Sequence, residues 1–395
     1  MEIQNIFLKD SEKYLPWVIN IRHELHKYPE LDFNLPETIK IITTSLKGLN
    51  IPFKTGIGKS GIIAELKGKN KNITIALRAD MDALPIIEKN KCPYTSKFHG
   101  NMHACGHDAH MAVLLGVAKI LSENKEYLPC NVKFLFQPAE ETTGGALPMI
   151  NDNCLKDVSA IFGLHMDPSL ETGKIGIKYG AMNASSTRIK FKITGKSCHG
   201  AYPSKGVDAI VTAAQVISSI QSIISRNIDS RDSAVITFGQ ISGGEAENII
   251  AQEVTCIGTM RTISNHTKEV LKKRLEDMVK MISNAYGAKG EILFKDSYNA
   301  LINHDEYVNI IRENSENLLG KENTIIKALT DMGVEDFAYY LEKVPGAFFH
   351  LGTKNKEKGI TAPLHSENFS IDEDSLLIGI KIQILNILST YKKLK

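Results

Sequence analysis

The chain has 395 residues, of which 43% are hydrophobic and 23% are charged, the proportions of a folded globular protein. This length exceeds one ordinary hydrophobic core and predicts two domains or three. The 47 Lys and Arg residues nearly cancel the 45 Asp and Glu residues, which argues against nucleic acid and anionic membranes as partners and favours small molecules.

Neither end of the chain has the pattern of an export or membrane segment. The amino-terminal stretch carries scattered charges and no continuous apolar core, so it predicts an amphipathic helix and not a signal peptide. The apolar run LLIGIKIQILNIL is interrupted by Lys381, Gln383 and Asn386 and is too short to span a bilayer. The six cysteines are not densely spaced as in a disulfide scaffold. We therefore expect a cytoplasmic protein without a transmembrane segment.

Strands and helices alternate along the first half of the chain, which predicts an α/β fold. The predicted strands run over residues 61–68, 72–79, 131–137 and 158–165, and the predicted helix over about 109–121. Reactive side chains follow three of these strands, namely Asp80, the pair Glu140 and Glu141, and His165. Because ligands bind beyond the carboxyl ends of strands in open α/β sheets, we expect these side chains to share one crevice.

The middle of the chain predicts a separate domain. Its pattern is strand, helix, two strands, helix and strand, the ferredoxin-like βαββαβ order. We place this domain at residues 184–301, as an insertion between two parts of a mixed-sheet catalytic domain at residues 1–183 and 302–395. The second part is predicted to contain a helix near residues 304–319, a strand at GAFFHLG and a final helix from about Asp372.

The stretch MHACGHDAHM places Cys105 and His107 on either side of one glycine, so that their side chains can converge. Thiolate and imidazole bind zinc and similar divalent ions. A polar turn with a buried thiol, or a cysteine nucleophile with His107 as its base, would use the same residues. His103 and His110 are interpreted as local hydrogen-bonding residues. The stretch alone leaves the three interpretations open.

Glu140 and Glu141 favour the metal interpretation. Two adjacent carboxylates at the end of a buried strand repel each other, and one has a raised pKa unless a cation lies nearby. Because adjacent side chains diverge, one carboxylate can bind metal while the other acts as general base toward a water molecule. A solvated acidic pair that opens a loop is the alternative.

Together these segments resemble the co-catalytic metallo-amidohydrolases and exopeptidases, the family of aminoacylases, hippurate hydrolases, auxin-conjugate hydrolases and N-acetyldiaminopimelate deacetylases. The resemblance covers nearly the whole chain, and its motifs follow the family's order: RHELHKYPEL, LRADMDALP, MHACGHDAHMAVLLG, FLFQPAEE, GLHMDP, GKSCHGAYPSKGVDAI, GTMRT, MGVEDFAYY, PGAFFHLG and APLHSENF. It implies a zinc-exopeptidase-like catalytic domain and an inserted domain that serves as lid and dimerisation surface.

The resemblance also implies a role for each candidate residue. The ligands of two divalent ions per subunit, manganese, zinc or cobalt, would be Cys105, His107, Glu141, His165 and His365. Glu140 would be the general base, and Asp80 would orient a metal-ligand histidine. His199 would stabilise the oxyanion in the partner subunit's active site. Asn248 and Arg261 would hold the carboxylate or amide oxygen of the substrate.

The activity implied is metal-dependent hydrolysis of the linear amide bond of N-acyl-L-amino acids, by metal-bound hydroxide with Glu140 as base, in a homodimer assembled through the inserted domain. The alternative among hydrolases is a dipeptidase, aminopeptidase or carboxypeptidase with the same two-metal centre. A cysteine hydrolase would not require the other candidate residues to act together, namely Glu140, Glu141, His165 and His365. The presence of Glu140 argues against a non-catalytic binding protein.

Overall fold

The computed structural model describes residues 2–9 and 11–395, which form two compact units. Unit 1 runs to Gly180 and continues with Ile302–Leu329 and Asp336–Lys395. Unit 2 comprises Ala181–Leu301 and Thr330–Glu335. The chain therefore enters unit 2 twice, and the second entry is a short segment that the predicted insertion at residues 184–301 does not contain.

The secondary structure alternates as the α/β pattern predicts. The helices are α1 (Glu2–Leu8), α2 (Leu15–His26), α3 (Pro36–Gly48), α4 (His107–Glu123), α5 (Ala146–Asn151), α6 (Ala209–Asn227), α7 (Asn265–Ala285), α8 (Asp305–Leu319), α9 (Ala338–Leu341) and α10 (Asp374–Leu394). The strands are β1 (Phe53–Ile57), β2 (Gly61–Leu66), β3 (Asn70–Asp80), β4 (Cys130–Gln137), β5 (Ala160–Glu171), β6 (Ile175–Ile177), β7 (Gly180–Asn183), β8 (Ser185–Thr194), β9 (Ala234–Gly243), β10 (Glu253–Thr262), β11 (Lys289–Asp296), β12 (Leu301–Asn303), β13 (Thr324–Ile326) and β14 (Gly346–Lys354).

Unit 1 is built on a mixed sheet with the strand order β1-β2-β4-β3-β5-β14-β6-β13. Its centre is parallel, because β3 pairs in parallel with β4 and β5, and β5 with β14. Every residue of β4 is buried, as expected for a strand whose two faces are both covered. Helices α2, α4 and α10 pack on one another and cover part of this sheet.

The register of the central strands brings their carboxyl ends to one edge. Asp80 pairs with Gln137 at the end of β4, and Arg78 pairs with Gly163 on β5. His165 lies two residues beyond Gly163, on the same face of the strand and level with Asp80. Strand register therefore brings these positions level with one another, although β5 continues past its predicted end at His165 to Glu171.

Helix α4 begins at His107, two residues before the predicted start. Its N-cap is Gly106, whose φ of 88° lies in the left-handed region that favours glycine. A Cβ at this position would lie 3.0 Å from Cγ of Met166. The sharp turn places Cys105 and His107 on the two sides of the helix start, beside β5.

Unit 2 contains an antiparallel sheet with the strand order β11-β8-β10-β9. Helices α6 and α7 pack on this sheet and on each other. Strand β8 alternates between buried and more exposed residues, as expected for a sheet with one covered face. Together these elements confirm the predicted α/β class with a ferredoxin-like βαββαβ unit.

The apolar run near the carboxyl end forms α10, a helix packed within unit 1. Gln383 and Asn386 are buried in it, and Oδ1 of Asn386 accepts a hydrogen bond from Nδ2 of Asn314 at 2.9 Å. Within the described residues, no helix combines the length and apolarity needed to cross a bilayer.

Candidate metal centre

Separate segments of unit 1 bring the predicted ligands together. The ligands are Cys105 and His107 at the start of α4, Glu141 after β4, His165 in β5 and His365 in the loop before α10. His365 has a φ of 61°, and its N–H donates to the main-chain oxygen of Ala104 at 2.8 Å. This hydrogen bond fixes a distant loop beside Cys105.

Cys105 is central to this cluster. Its Sγ lies 3.3 Å from Nε2 of His165 and 3.3 Å from Nε2 of His365. Oε1 of Glu141 lies 3.3 Å from Nε2 of His365 and 3.8 Å from Nε2 of His107. The donor atoms form two groups, Cys105 with His107 and His165, and Cys105 with Glu141 and His365, each within 4.8 Å. These residue types would hold divalent ions, and Cys105 belongs to both groups.

Hydrogen bonds determine which ring nitrogen two of the histidines present to the cluster. Nδ1 of His107 donates to the main-chain oxygen of Asp82 at 2.8 Å, and Nδ1 of His165 donates to that of Met166 at 2.8 Å. A carbonyl oxygen only accepts, so the neutral rings carry their proton on Nδ1. Their Nε2 lone pairs are then directed to the cluster, as in metal-binding histidines held by outer partners.

The electrostatics of the cluster fit a cation. Nε2 of His107 is buried and has no hydrogen-bond partner among the described residues, and the buried Oε1 of Glu141 has the 3.3 Å contact with Nε2 of His365. Burial lowers the pKa of His107, but the charge of Asp80, the hydrogen bond to Asp82 and the charge of Glu141 outweigh it and raise that pKa to about 10. Burial and the charges of Glu141 and Glu140 raise the pKa of the Cys105 thiol. In the absence of metal, protons therefore occupy the nitrogen and sulfur atoms to which a metal ion would bind. This set of ligand atoms fits two divalent ions.

Glu140 lies beside the proposed ligands. One of its carboxylate oxygens is within 4.8 Å of donor atoms of His107 and Glu141, and the residue is 7% exposed. It is therefore close enough to exchange a proton with a water molecule held at the cluster.

Asp80 makes its shortest histidine contact with His110. Its Oδ1 accepts from Nδ1 of His110 at 2.6 Å, and its Oδ2 accepts from Nη1 of Arg78 at 2.7 Å. Nε2 of His110 accepts from the main-chain N–H of Met166 at 2.9 Å, so both ring nitrogens of His110 are hydrogen-bonded. Asp80 thus orients a residue that is not a predicted ligand, while its Oδ2 lies 3.7 Å from Nε2 of His107.

Asp82 is a site residue that the sequence analysis missed. Its carboxylate accepts hydrogen bonds from the main-chain N–H groups of Glu140 at 2.9 Å and Glu141 at 3.1 Å, and its carbonyl holds His107. The residue is fully buried. The available signal was the second aspartate of LRADMDALP, which follows the same strand exit as Asp80.

Unit 2 contains the three remaining candidates, and it brings two of them together. The N–H of Gly200 donates to the main-chain oxygen of Asn248 at 2.7 Å, and His199 forms a β-bridge with Ile249. Nδ1 of His199 accepts from the N–H of Ala201 at 3.1 Å, which leaves the proton of the neutral ring on Nε2. Arg261 lies on β10, where its Nη1 donates to Oγ of Ser186.

Comparison with known proteins identifies the family. The model of Peptidase family M20/M25/M40 matches residues 76–387. The N-acetyl-L-cysteine deacetylase of Bacillus subtilis is 39% identical over 376 residues, which cover 95% of this chain and 88% of that protein. Thermostable carboxypeptidase 1 of Saccharolobus solfataricus is 34% identical over 383 residues, 96% of each chain.

A solved structure is similar over the same range. It is that of a Bacillus subtilis protein described as a dinuclear metal-binding peptidase from the M20 family. The two chains are 33% identical with a TM-score of 0.85, and the match covers 96% of this chain and 99% of that chain. The protein is thus a hydrolase. The chain belongs to Peptidase family M20/M25/M40, a family of amidohydrolases and peptidases, which confirms the resemblance found in the sequence.

Proposed function

We propose that the protein hydrolyses the amide bond of N-acyl-L-amino acids and releases a carboxylate and a free amino acid. The observation that carries the proposal is the pair of ligand groups that share Cys105, with Glu140 beside them. A relative named as an N-acetyl-L-cysteine deacetylase, 39% identical over nearly the whole chain, supports an acylated amino acid as substrate.

The ligands would be Cys105, His107, Glu141, His165 and His365, for two ions of manganese, zinc or cobalt. Such ions, when bound, polarise the substrate carbonyl and lower the pKa of a water molecule. Glu140 takes the proton from the attacking water and delivers it to the leaving amine. Asp82 supports this transfer because its carboxylate holds the main-chain N–H of Glu140, the residue from which the base projects.

The environment of Cys105 argues against a cysteine nucleophile. A nucleophilic thiol needs a lowered pKa, but burial and the neighbouring carboxylates raise the pKa of this thiol. Its Sγ also has two histidine Nε2 atoms at 3.3 Å, from His165 and His365. A shared cation accounts for both contacts, whereas a catalytic base accounts for one.

We assign the contact with the oxyanion to His199 of the partner subunit in a homodimer assembled through unit 2. The protonated Nε2 inferred for its neutral ring supports this assignment, since an oxyanion needs a hydrogen-bond donor. Asn248 and Arg261 are assigned to the carboxylate or amide oxygen of the substrate. The cytoplasmic location stays a prediction.

The proposal is tested by a hydrolysis screen with protein stripped by a chelator and reloaded with each metal. The substrates are N-acetyl, N-benzoyl and indole-acetyl amino acids, with dipeptides and longer peptides beside them. We expect metal-dependent release of free amino acid from the acylated substrates. Preferred cleavage of peptides would support the peptidase alternative, for which the carboxypeptidase relative provides a reason. Full activity of the stripped protein would contradict the mechanism.

A further inference from the structure

Asp167, Lys327 and His350 form a polar cluster in unit 1, separate from the predicted ligands. Oδ2 of Asp167 accepts from Nζ of Lys327 at 2.7 Å and lies 3.0 Å from Nδ1 of His350. Oδ1 of Asp167 accepts from the N–H of Ser169 at 2.8 Å and from its hydroxyl at 2.5 Å. Nζ of Lys327 also contacts Nδ1 of His350. We call these three residues the Asp167 cluster.

The sheet places the Asp167 cluster on the same face as the proposed ligand His165. His350 on β14 pairs directly with His165 on β5 in parallel register. Asp167 lies two residues beyond His165 on the same strand, so its side chain emerges on the same face. The ring centroids of His165 and His350 are 6.2 Å apart. The cluster therefore begins one side chain away from the metal centre.

Gly176 allows Lys327 to reach this position. It pairs with His350 across β6 and β14, and a Cβ on it would lie 2.9 Å from Cε of Lys327 and 3.3 Å from Cβ of His350. Lys327 follows β13, and its N–H donates to the main-chain oxygen of Ile177 at 2.8 Å. The aliphatic stem thus lies across the bare backbone of β6 and carries the ammonium group toward Asp167.

The hydrogen-bonding pattern leaves donors for a ligand. The carboxylate of Asp167 accepts from Ser169 and Lys327, so its charge is well compensated. The contacts with Asp167 and His350 use two of the three ammonium hydrogens of Lys327. Nδ1 of His350 lies within hydrogen-bond distance of both Lys327 and Asp167, and at least one ammonium hydrogen of Lys327 remains whichever of the two it bonds. The Lys327 side chain is 21% exposed, so solvent reaches part of it.

We propose that the Asp167 cluster binds a hydrogen-bond-accepting end of the acyl group, so that acyl groups with a terminal carboxylate are preferred over apolar acyl groups of the same length. This inference rests on the proposed function, which assigns Asn248 and Arg261 to the carboxylate or amide oxygen of the substrate and assigns no residue to the far end of the acyl group. An apolar acyl group would cover the ammonium group of Lys327 without replacing its contacts with water, which is unfavourable.

The test compares kcat/KM for the N-acetyl, N-pentanoyl and N-succinyl derivatives of one amino acid, with metal-loaded protein. The acetyl group has no chain beyond its methyl group and no terminal acceptor, so its hydrolysis tests the proposed function alone. The succinyl and pentanoyl groups have similar lengths and differ in the terminal carboxylate. We expect a succinyl-to-pentanoyl ratio of about 10 to 100, the range expected for a hydrogen bond to a charged group.

Two substitutions of Lys327 test whether the cluster causes this ratio. Lys327→Met keeps the length of the side chain and removes the charge, so the ratio should fall to about 1. Lys327→Arg keeps the charge and should retain most of the ratio. Lys174→Met is the matched control, because Lys174 lies beside β6 and pairs with the exposed Glu171, and it should leave the ratio unchanged.

Three results would overturn the inference. The first is that the wild-type protein hydrolyses the acetyl substrate but shows a succinyl-to-pentanoyl ratio at or below 1. This result would leave the proposed function intact. The second is a folded Lys327→Met variant, shown by its thermal unfolding and metal content, that keeps the wild-type ratio. The third is failure to hydrolyse any of the three substrates, which overturns the proposed function as well. The wild-type ratio remains decisive if Lys327→Met does not fold.

Discussion

The main-chain oxygen of Asp82 accepts a hydrogen bond from Nδ1 of His107 at 2.8 Å, and the carboxylate of Asp82 holds the main-chain N–H groups of Glu140 and Glu141. One buried residue thereby joins the start of α4 to the loop that follows β4. It orients two proposed ligands and the proposed base, although it is assigned to none of these roles itself.

Substitution of Asp82 by Asn should therefore affect both stability and catalysis. An amide has one accepting oxygen, so the main-chain N–H of Glu140 or Glu141 loses its partner. We expect the free energy of unfolding of the metal-free protein to fall by about 1–3 kcal/mol, and kcat to fall more than KM changes. Asp229→Asn is the control, since Asp229 is exposed and pairs with its neighbour Arg231. Wild-type unfolding and turnover in Asp82→Asn would refute the positioning role.

Substitutions of Glu140 and Glu141 should have different effects, one on catalysis and the other on metal binding. Glu140→Gln removes the proposed base, so kcat should fall by about 10²–10⁴-fold while the metal content is retained. Glu141→Gln removes a proposed ligand, so its metal content should fall first and its activity with it. Metal analysis and steady-state kinetics on the two variants test this pair. Equal metal loss in both would contradict the division of roles.

His26 should make stability depend on pH. It is buried at the end of α2, with Nδ1 2.8 Å from Oδ2 of Asp108 and Nε2 3.1 Å from Oε1 of Glu88. Burial lowers the pKa of His26, and the positive charge of Arg22 also lowers it, but the charge of Asp108 and the hydrogen bonds to Asp108 and Glu88 outweigh both and raise that pKa above 6.5. The neighbouring groups are His103 and Tyr94.

A raised pKa in the folded state contributes stability that is fully present below pH 6.5, the usual pKa of histidine, and is lost as the pH rises through the folded-state value. The difference in thermal midpoint between wild type and His26→Gln should be largest near pH 6 and should shrink at higher pH. His266→Gln, an exposed position on α7, is the control. A difference that grows with pH would contradict this linkage.

A subunit-mixing experiment tests the role of His199 in the partner's active site. His199→Ala and Glu140→Gln should each be nearly inactive alone. A mixed dimer would contain one intact site, with Glu140 from one chain and His199 from the other. After random exchange of subunits we expect about a quarter of wild-type activity. Activity that stays at the sum of the two parents after verified exchange would exclude a shared site.

Much of the site can be predicted from local sequence, because the register of parallel strands places residues from separate segments side by side. Asp80 ends β3, Glu141 follows β4 and His165 lies on β5, and these strands pair in parallel, so the proximity of the three residues could be predicted from the pattern alone. His365 is different, since its loop lies 260 residues beyond Cys105 and only the family resemblance indicated it. Asp82 was missed because its contact with His107 uses a main-chain oxygen, which has no signature in the residue type.

The contacts within the Asp167 cluster could not be predicted from the sequence either. Its members are on β5, after β13 and on β14, and Lys327 reaches the others because Gly176 leaves space above β6. The partner of a lysine on a sheet depends on strand order, and strand order was not predicted for β6, β13 and β14. The segment Thr330–Glu335 joins unit 2 for a similar reason, since its contacts with that unit are tertiary.

The metal content and activity of Cys105→Ala, measured beside the wild type, test whether Cys105 is a ligand in both groups. We expect two ions per wild-type chain after loading, fewer than one per Cys105→Ala chain, and loss of N-acyl-amino-acid hydrolysis in the variant, because both ligand groups include this thiolate. Cys92→Ala, a substitution outside both ligand groups, should behave like the wild type. Two ions and wild-type hydrolysis in Cys105→Ala would contradict the account.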